Sequence, residues 1–230
     1  MKACKHPAAS RGFTLMEILI ALLIFGIIVT TVFASHRSVF MSAPIIENSV
    51  DLYAMSDACL ERIALDLRSA CIVQLPVYGK PQFNASPDPY RVVGYDGNNG
   101  GKDGQRLRFA SYAHLPLEQS VREGVAELVY YERTRGEASF DLMRSDSLYP
   151  YPEFEADGRD PVLCAGLKRL EITYFDQEGT DHTYWDSESD EFDYATPGAV
   201  EILIEMSRGE TGAVFETRVA MPVVRRGIEE

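Results

Sequence analysis

One carboxylate lies inside the longest apolar segment of the sequence. Residues 13–34 comprise 22 residues, and Glu17 is the only charged one among them. An ionised side chain at the centre of a bilayer costs about 2–3 kcal/mol on insertion scales, and such residues mark functional sites. A buried charge is tolerated when an opposite charge pairs with it. We therefore treat Glu17 as a functional residue that requires a cationic partner.

A second group of carboxylates lies in the sequence DSESDEFD. Its acidic members are Asp186, Glu188, Asp190, Glu191 and Asp193. Clustered carboxylates suit calcium, a hard cation that takes six to eight oxygen ligands. The spacing does not match an EF-hand loop, and no glycine supplies its sharp turn. We predict a solvated acidic loop and no cofactor, with a calcium site formed by Asp186, Glu188, Asp190 and Asp193 as the alternative.

The residue types that usually perform catalysis are scattered along the sequence. His6, His36, His114 and His182 are far apart and lack the spacing of a zinc site. No nucleophile elbow, P-loop or dinucleotide-binding glycine pattern is present in the sequence. These observations predict a protein that is not an enzyme.

The charge of the chain excludes one class of partner. The 230 residues carry a formal net charge of −13. Without the first 12 residues, 19 basic and 35 acidic residues remain, a net charge of −16. A surface this acidic repels phosphate backbones, so we predict no nucleic-acid binding.

Cysteine usage leaves two alternatives open. Cys4 precedes the apolar segment, whereas Cys59, Cys71 and Cys164 follow it. Because three cysteines follow the segment, they can form at most one disulfide among themselves. A Cys59–Cys71 bridge is conceivable in an oxidising compartment. The preferred interpretation is that the three are small buried apolar residues.

The apolar segment is long enough to cross a membrane. At 1.5 Å per residue, 22 helical residues reach about 33 Å, the thickness of a bilayer core. Lys2, Lys5 and Arg11 precede the segment, which predicts a cytoplasmic amino terminus and a main domain on the other side. The segment fits a secretory signal cleaved after Ala34, an ordinary anchor, or a third class defined by the residues around Glu17.

The sequence RGFTLMEILIAL, residues 11–22, resembles the prepilin signal of type IV pilin-like proteins. The resemblance implies cleavage by prepilin peptidase between Gly12 and Phe13, methylation of the new Phe13 amine, and retention of the apolar segment. In a filament of such helices, Glu17 can pair with the Phe13 amine of a neighbouring subunit. That pairing would also fix the axial register between apolar helices, as lone polar residues do in coiled coils.

Helical periodicity continues beyond the membrane segment. Pro44 predicts an interruption or a kink, because proline lacks the N–H that a helix requires. Apolar residues then recur at steps of three or four, which predicts an amphipathic helix with one buried stripe that ends by Pro76. The stripe comprises Ile46, Val50, Tyr53, Leu60, Ile63, Leu67 and Cys71, with acidic residues such as Asp66 between its members. The resemblance implies one long helix from Phe13 to about Ala70.

The rest of the chain alternates with a period of two. Residues 76–105 are rich in glycine and proline, with a short strand predicted at 90–95. Strands are predicted at 106–112, 125–134 and 139–146, and two further hairpins at 166–188 and 199–223. The predicted fold class is α+β, with a long helix packed on mostly antiparallel strands. The predicted divisions are a leader at 1–12, a membrane segment at 13–36, an amphipathic helix at 37–75 and a β-rich domain at 76–230.

Four further stretches resemble the J-type minor pseudopilin of type II secretion systems. They are LERIALDLRSACIVQLP at 60–76, LKRLEITYFDQEGTDHTYWDSE at 167–188 and TPGAVEILIEM at 196–206, and the terminal VFETRVAMPVV at 214–224 looks like that family's last strand. Thr196 departs from the leucine common there, and the insert at 143–161 has no counterpart. The resemblance implies a place at the pseudopilus tip with I- and K-type subunits, anchored in the inner membrane with a periplasmic domain. A minor type IV pilin of the W type, acting in pilus assembly, adhesion or DNA uptake, is the alternative.

Overall fold

The computed structural model describes residues 14–95, 104–115, 123–136, 139–208 and 211–228, and among these it describes only the backbone of residues 38–48. The chain forms two compact units, Met1–Glu47 and Asn48–Glu230. The predicted cleavage site, Gly12 and Phe13, and the predicted leader lie outside the described residues.

A single long helix, α1, spans Leu15–Arg68. It begins after Thr14, whose hydroxyl and carbonyl oxygens accept from the backbone N–H of Glu17 at 3.3 and 3.1 Å. This is the contact that an N-cap residue makes. The backbone is helical at Pro44 and on both sides of it, so the predicted interruption there is wrong. The predicted extent of the helix, from Phe13 to about Ala70, is confirmed to within two residues at each end.

The buried stripe of α1 differs in register from the predicted one. Val50 and Tyr53 are each 61% exposed, whereas the stripe comprises Leu52, Ser56, Cys59, Ile63 and Leu67. Ile63 and Leu67 were predicted correctly, and the side chain of Ile46 lies outside the described residues. The prediction failed because it passed over Ser56. The Ser56 hydroxyl donates to the carbonyl oxygen of Tyr53 at 2.8 Å, and this local hydrogen bond lets a polar residue occupy the core.

The second unit contains an antiparallel β-sheet, of which nine strands lie in the described part. The strands are β1 (Val93–Gly94), β2 (Gln105–Ser111), β3 (Ala126–Thr134), β4 (Phe140–Leu148), β5 (Val162–Phe175), β6 (Asp181–His182), β7 (Trp185–Asp186), β8 (Ala199–Arg208) and β9 (Thr211–Ala220). Their order in the sheet is β7-β1-β2-β3-β4-β5-β8-β9, and β6 pairs with β5. The predicted α+β class is therefore confirmed.

The predicted strands were found with one exception. Those at 106–112, 125–134 and 139–146 correspond to β2, β3 and β4, and the hairpin at 199–223 corresponds to β8 and β9. In β8 the alternating residues Val200, Ile202, Ile204 and Met206 are buried, as a half-buried strand requires.

The predicted hairpin at 166–188 is wrong beyond its first turn. β6 pairs with β5 through two residues, but the next strand, β7, pairs with β1 at the other end of the sheet order. The Trp185 indole explains this change of partner. Its N–H donates to the carbonyl oxygen of Ala195 at 3.0 Å, and its ring stacks on Phe192 with centroids 4.3 Å apart. These contacts hold the Trp185 side chain against residues 192–195.

The sheet curls around its own core. The ring of Tyr174 on β5 lies so close to β1 that a Cβ at Gly94 would sit 2.0 Å from it. Arg106 on β2 donates to the carbonyl oxygen of Leu170 on β5 at 2.8 Å. β1 and β2 are therefore adjacent to β5 across the core, although β3 and β4 separate them in the sheet.

Candidate functional site

The first unit presents an apolar helical surface whose most apolar window is fully exposed among the described residues. Leu15–Arg37 has the length and composition of a membrane span, with a mean hydropathy of 2.7 and none of its most apolar window buried. Large apolar surfaces left open in this way mark contact with lipid or with other proteins.

The described geometry of Glu17 suits a charge at the start of a helix. The residue lies in the first turn of α1 and its side chain is exposed. The aligned peptide dipoles place partial positive charge at a helix amino terminus, which stabilises a carboxylate there by about 0.3–1 kcal/mol. This contribution is smaller than the cost of burying the charge in hydrocarbon, so Glu17 still requires a cationic partner inside a membrane or filament.

Two threonines farther along the span are satisfied locally. The Thr30 hydroxyl lies 2.9 Å from the carbonyl oxygens of Gly26 and Ile27, and Thr31 makes equivalent contacts with Ile27 and Ile28. Hydroxyls bonded to the preceding turn do not need water, so they are compatible with hydrocarbon. Glu17 is the only acidic residue of Leu15–Arg37.

A family model matches the amino-terminal part of the chain. The description "prokaryotic N-terminal methylation motif" matches residues 7–33. The chain carries a type IV pilin-like amino-terminal segment. Together with the long helix and the curled antiparallel sheet, the motif fits a pilin-like fold and a single-pass membrane anchor. No curated protein matches the chain.

Processing of this pilin-like segment gives a first prediction. We expect Gly12→Val to leave the precursor uncleaved, because a branched side chain before the cut would block the peptidase site. Intact-mass spectrometry of the membrane fraction would show the full 230-residue chain in the variant and a chain beginning at Phe13 in the wild type. Gly26→Val is the matched control, because a Cβ at Gly26 meets nothing within 4 Å and should leave cleavage unchanged. A wild-type amino terminus at Ser35 would instead show a secretory signal.

The second unit contains a buried ionic cluster that the sequence analysis missed. Asp66 was placed between the members of the apolar stripe, but its side chain is 0% exposed. Arg144 Nε donates to Asp66 Oδ2 at 2.7 Å, the Tyr130 hydroxyl donates to the same oxygen at 2.6 Å, and Arg62 Nη2 donates to Oδ1 at 2.6 Å. One helical carboxylate therefore binds two strands of the sheet, because Tyr130 is on β3 and Arg144 on β4.

A second layer extends this cluster toward the surface. Arg144 Nη1 donates to Asp146 Oδ2 at 2.6 Å, and Asp146 Oδ1 lies 2.6 Å from Nδ1 of His114. The backbone N–H of Leu115 donates to Asp146 Oδ2 at 2.8 Å. We call Asp66, Arg62, Tyr130, Arg144, Asp146 and His114 the helix clamp. It joins α1 to the sheet within the second unit.

Protonation in the helix clamp follows from burial and charge. Burial, together with the nearby Asp66 carboxylate, raises the pKa of Tyr130 well above its usual value, so the phenol remains neutral and donates. Burial by itself would lower the pKa of Arg144, but hydrogen bonds from its guanidinium to Asp66 and Asp146, and their charges, raise it overall. Arg144 therefore keeps the positive charge that pairs it with Asp66 and Asp146.

The sequence offered one weak signal for the helix clamp. Asp66 immediately precedes Leu67 and lies three residues after Ile63, which places it on the edge of the buried stripe. An acidic residue at such a position requires a buried cation. The partner, Arg144, lies 78 residues away and could not be identified without the fold.

The acidic residues proposed as a calcium site are divided among other roles. Glu188 Oε1 accepts from the backbone N–H of Asp88 at 2.8 Å, and its other oxygen lies 3.3 Å from Arg91 Nη1. Asp186 Oδ1 accepts a hydrogen bond from the backbone N–H of Glu188. Asp190 is the first residue of a 3-10 helix, Asp190–Phe192, and the next residue, Asp193, has a left-handed backbone conformation. Among the described residues, no group of three or more histidine, cysteine or acidic side chains is arranged to hold a metal ion. The absence of a cofactor stays a prediction.

The histidines and cysteines also lie apart. His36 is exposed on α1, His114 belongs to the helix clamp, and the ring of His182 packs against Trp185; His6 lies outside the described residues. Cys59 is buried in the core, whereas Cys71 follows the helix and its Sγ lies 3.6 Å from the Tyr112 hydroxyl. Cys59 and Cys71 are both free cysteines in the structure. The structure therefore does not bring together the Cys59–Cys71 pair that the sequence allowed.

The exposed side of α1 in the second unit borders an open sheet edge. β9 is a terminal strand of the sheet order in the described part of the chain. Between it and α1 runs an open groove of about 580 Å³ lined by residues that include Tyr53, Leu60, Val214 and Phe215. The Tyr53 and Phe215 rings meet edge to face with centroids 5.2 Å apart. We call this surface the α1–β9 groove.

Proposed function

We propose that this chain is a non-catalytic minor pseudopilin of a type II secretion pseudopilus, located at its tip, which assists the export of folded proteins across the outer membrane. The observation that carries the proposal is the uncovered apolar helix of Leu15–Arg37 with Glu17 in its first turn, behind a prepilin-type motif. The resemblance of residues 60–76, 167–188, 196–206 and 214–224 to J-type subunits supports the choice within the pilin-like class.

The proposed mechanism is assembly by packing. Prepilin peptidase cleaves between Gly12 and Phe13 and the Phe13 amine is methylated. The apolar helix is first anchored in the inner membrane with the β-rich unit in the periplasm, and it then packs against the helices of other pseudopilins. The Glu17 carboxylate pairs with the Phe13 amine of a neighbouring subunit. This pairing neutralises both charges and fixes the position of one subunit relative to the other along the filament axis.

The second unit would supply specificity for particular neighbours. We propose that the I- and K-type minor subunits contact this unit, and that the α1–β9 groove is part of their contact surface. Tyr53 and Val214 are exposed there, with Asp57 and Glu216 beside them. Such a mixture of apolar and acidic groups suits a protein partner, whereas the net charge argues against nucleic acid. We propose no enzymatic activity and no cofactor.

Deletion of the chain separates this function from the pilus alternative. We expect the deletion mutant of the source bacterium to retain folded exoproteins in the periplasm, because the pseudopilus would lack its tip. Immunoblots of culture supernatant and periplasm measure this, and re-expression of the wild-type chain is the control. Normal export combined with lost surface pili, adhesion or DNA uptake would instead identify a minor type IV pilin.

A further inference from the structure

Another buried cation, outside the helix clamp, lies after the last strand. The side chain of Arg225 is 0% exposed. Its Nη2 donates to the carbonyl oxygen of Ser187 at 2.6 Å, its Nε donates to that of Tyr194 at 2.8 Å, and its Nη1 lies 3.3 Å from Asp88 Oδ2. The guanidinium also lies over the Tyr78 ring, with Cζ 3.4 Å from the ring centroid. We call these five residues the arginine site.

The arginine site joins two loops of the second unit to the last part of the chain. The first loop, residues 76–92, lies between α1 and β1 and contributes Tyr78 and Asp88. We call it the proline-rich loop. The second loop, residues 187–194, contains four of the acidic residues considered above as a calcium site, and it contributes both carbonyl oxygens. We call it the acidic loop.

Backbone contacts fix the position from which the guanidinium reaches these loops. The N–H of Arg225 donates to Thr196 Oγ1 at 2.8 Å, and its carbonyl oxygen accepts from the N–H of Thr196 at 3.0 Å. The N–H of Ile228 donates to the carbonyl oxygen of Asp193 at 2.9 Å. A Cβ at Gly227 would sit 2.9 Å from the Asp193 side chain, so the two segments are in close contact. The last part of the chain therefore lies beside the acidic loop.

The oxygen atoms around the guanidinium are of the kinds that calcium uses. Calcium binds carboxylate and backbone carbonyl oxygens, and the arginine site supplies the carboxylate of Asp88 and the carbonyls of Ser187 and Tyr194. A guanidinium is always charged and presents several N–H donors in a planar fork. It can therefore neutralise and bind a converging set of oxygens as a metal ion would.

We propose that Arg225 is an internal cation that orders the proline-rich loop and the acidic loop in place of a metal ion. The conformation of both loops is then independent of calcium, and it depends instead on the last part of the chain being in position. This inference concerns the second unit by itself and does not rest on the proposed role in a pseudopilus.

Hydrogen exchange of the full chain in detergent tests the role of Arg225. We expect Arg225→Ala to speed amide exchange in both loops by at least about tenfold, because it removes hydrogen bonds made by a charged donor. The reporters are the N–H groups of Asp88 and Val92, which bond to Glu188 and Ser187 in the acidic loop. Exchange in β3 and β4 should not change.

Arg226→Ala is the matched control, because it removes the same side chain from the next, exposed position and should leave both loops unchanged. Equal effects of the two variants would overturn the proposal. A uniform increase in exchange over the whole second unit would also overturn it, because Arg225 would then support the fold in general.

Rescue by guanidinium separates an internal cation from a residue that only fills space. Tens of millimolar guanidinium chloride, well below denaturing concentrations, should slow loop exchange in Arg225→Ala, whereas the same concentration of sodium chloride should not. Arg225→Met fills the space without a charge and should exchange rapidly in both salts. Arg225→Lys keeps the charge without the fork and should exchange more slowly than Arg225→Met. Failure of rescue, or equal rates in the methionine and lysine variants, would overturn the proposal.

A chelator tests the independence from calcium on the unaltered chain, so this measurement does not require any variant to fold. We expect EGTA to leave the melting temperature and the loop exchange of the wild type unchanged. A ligand that binds only the folded state would stabilise it, so its removal would lower the melting temperature. A fall in EGTA that added calcium reverses would overturn the proposal, because a metal ion would then order these loops.

Discussion

Replacement of Asp66 with alanine is expected to lower the free energy of unfolding of the second unit by about 3–5 kcal/mol, the usual cost of removing one partner from a buried ion pair. The variant would leave Arg144 buried with Asp146 as its only remaining anion in the helix clamp, and Tyr130 without its acceptor. The loss is large because groups that exchanged water for Asp66 cannot recover that water in the core.

Denaturant unfolding of the detergent-solubilised chain would measure this effect. Trp185 is the only tryptophan in the sequence and is buried in the second unit, so its fluorescence reports unfolding of that unit. Asp57→Ala is the matched control, because it removes the same side chain from an exposed position of the same helix and should change stability by less than about 0.5 kcal/mol. Equal losses for the two variants would show that the helix clamp does not hold the helix.

A double-mutant cycle would assign the energy to the pair. If Asp66 and Arg144 act on each other, the combined Asp66→Ala and Arg144→Ala change should cost less than the sum of the single changes, by about 0.5–3 kcal/mol. Additive losses would mean that each residue stabilises the fold through its other contacts.

Replacement of Glu17 with leucine is expected to abolish association with the next subunit while leaving membrane insertion intact. Leucine makes the span more apolar, so insertion should be unchanged or improved. The Phe13 amine of the neighbour would then be buried without a counter-charge, at a cost of several kcal/mol. Folding of the second unit should not change, because Glu17 belongs to the first.

Site-specific cross-linking in membranes would measure this loss as missing bands to neighbouring subunits with an unchanged amount of monomer. Glu17→Asp keeps the charge with a shorter reach and should be intermediate. Ile20→Leu is the matched control, since it alters the same exposed helix without altering charge. Normal cross-linking and full export by the leucine variant would mean that Glu17 does not set the register between subunits.

The sequence by itself determined the features that depend on neighbouring residues. The apolar segment with one carboxylate, the long helix and the alternation in β8 follow from composition and local periodicity, and the structure confirms the helix and the strands. The prepilin-type motif is likewise a property of a dozen consecutive residues, and its match to residues 7–33 required no fold. The geometry of the cleavage site and the pairing of Glu17 with Phe13 stay predictions.

Only the tertiary structure decided which distant residues meet. The sequence predicts that Asp66 is a surface carboxylate, but the structure places Arg144 and Tyr130 beside it. The sequence also leaves Ser56 out of the buried stripe, but its hydroxyl forms a hydrogen bond within the helix and the residue is buried. Trp185 left its expected hairpin because its contacts lie with Ala195 and Phe192. The reason is the same in each case: periodicity reports which side of an element is buried, whereas the partner across the core is chosen by packing, charge and hydrogen bonding among residues that the chain brings together only when it folds.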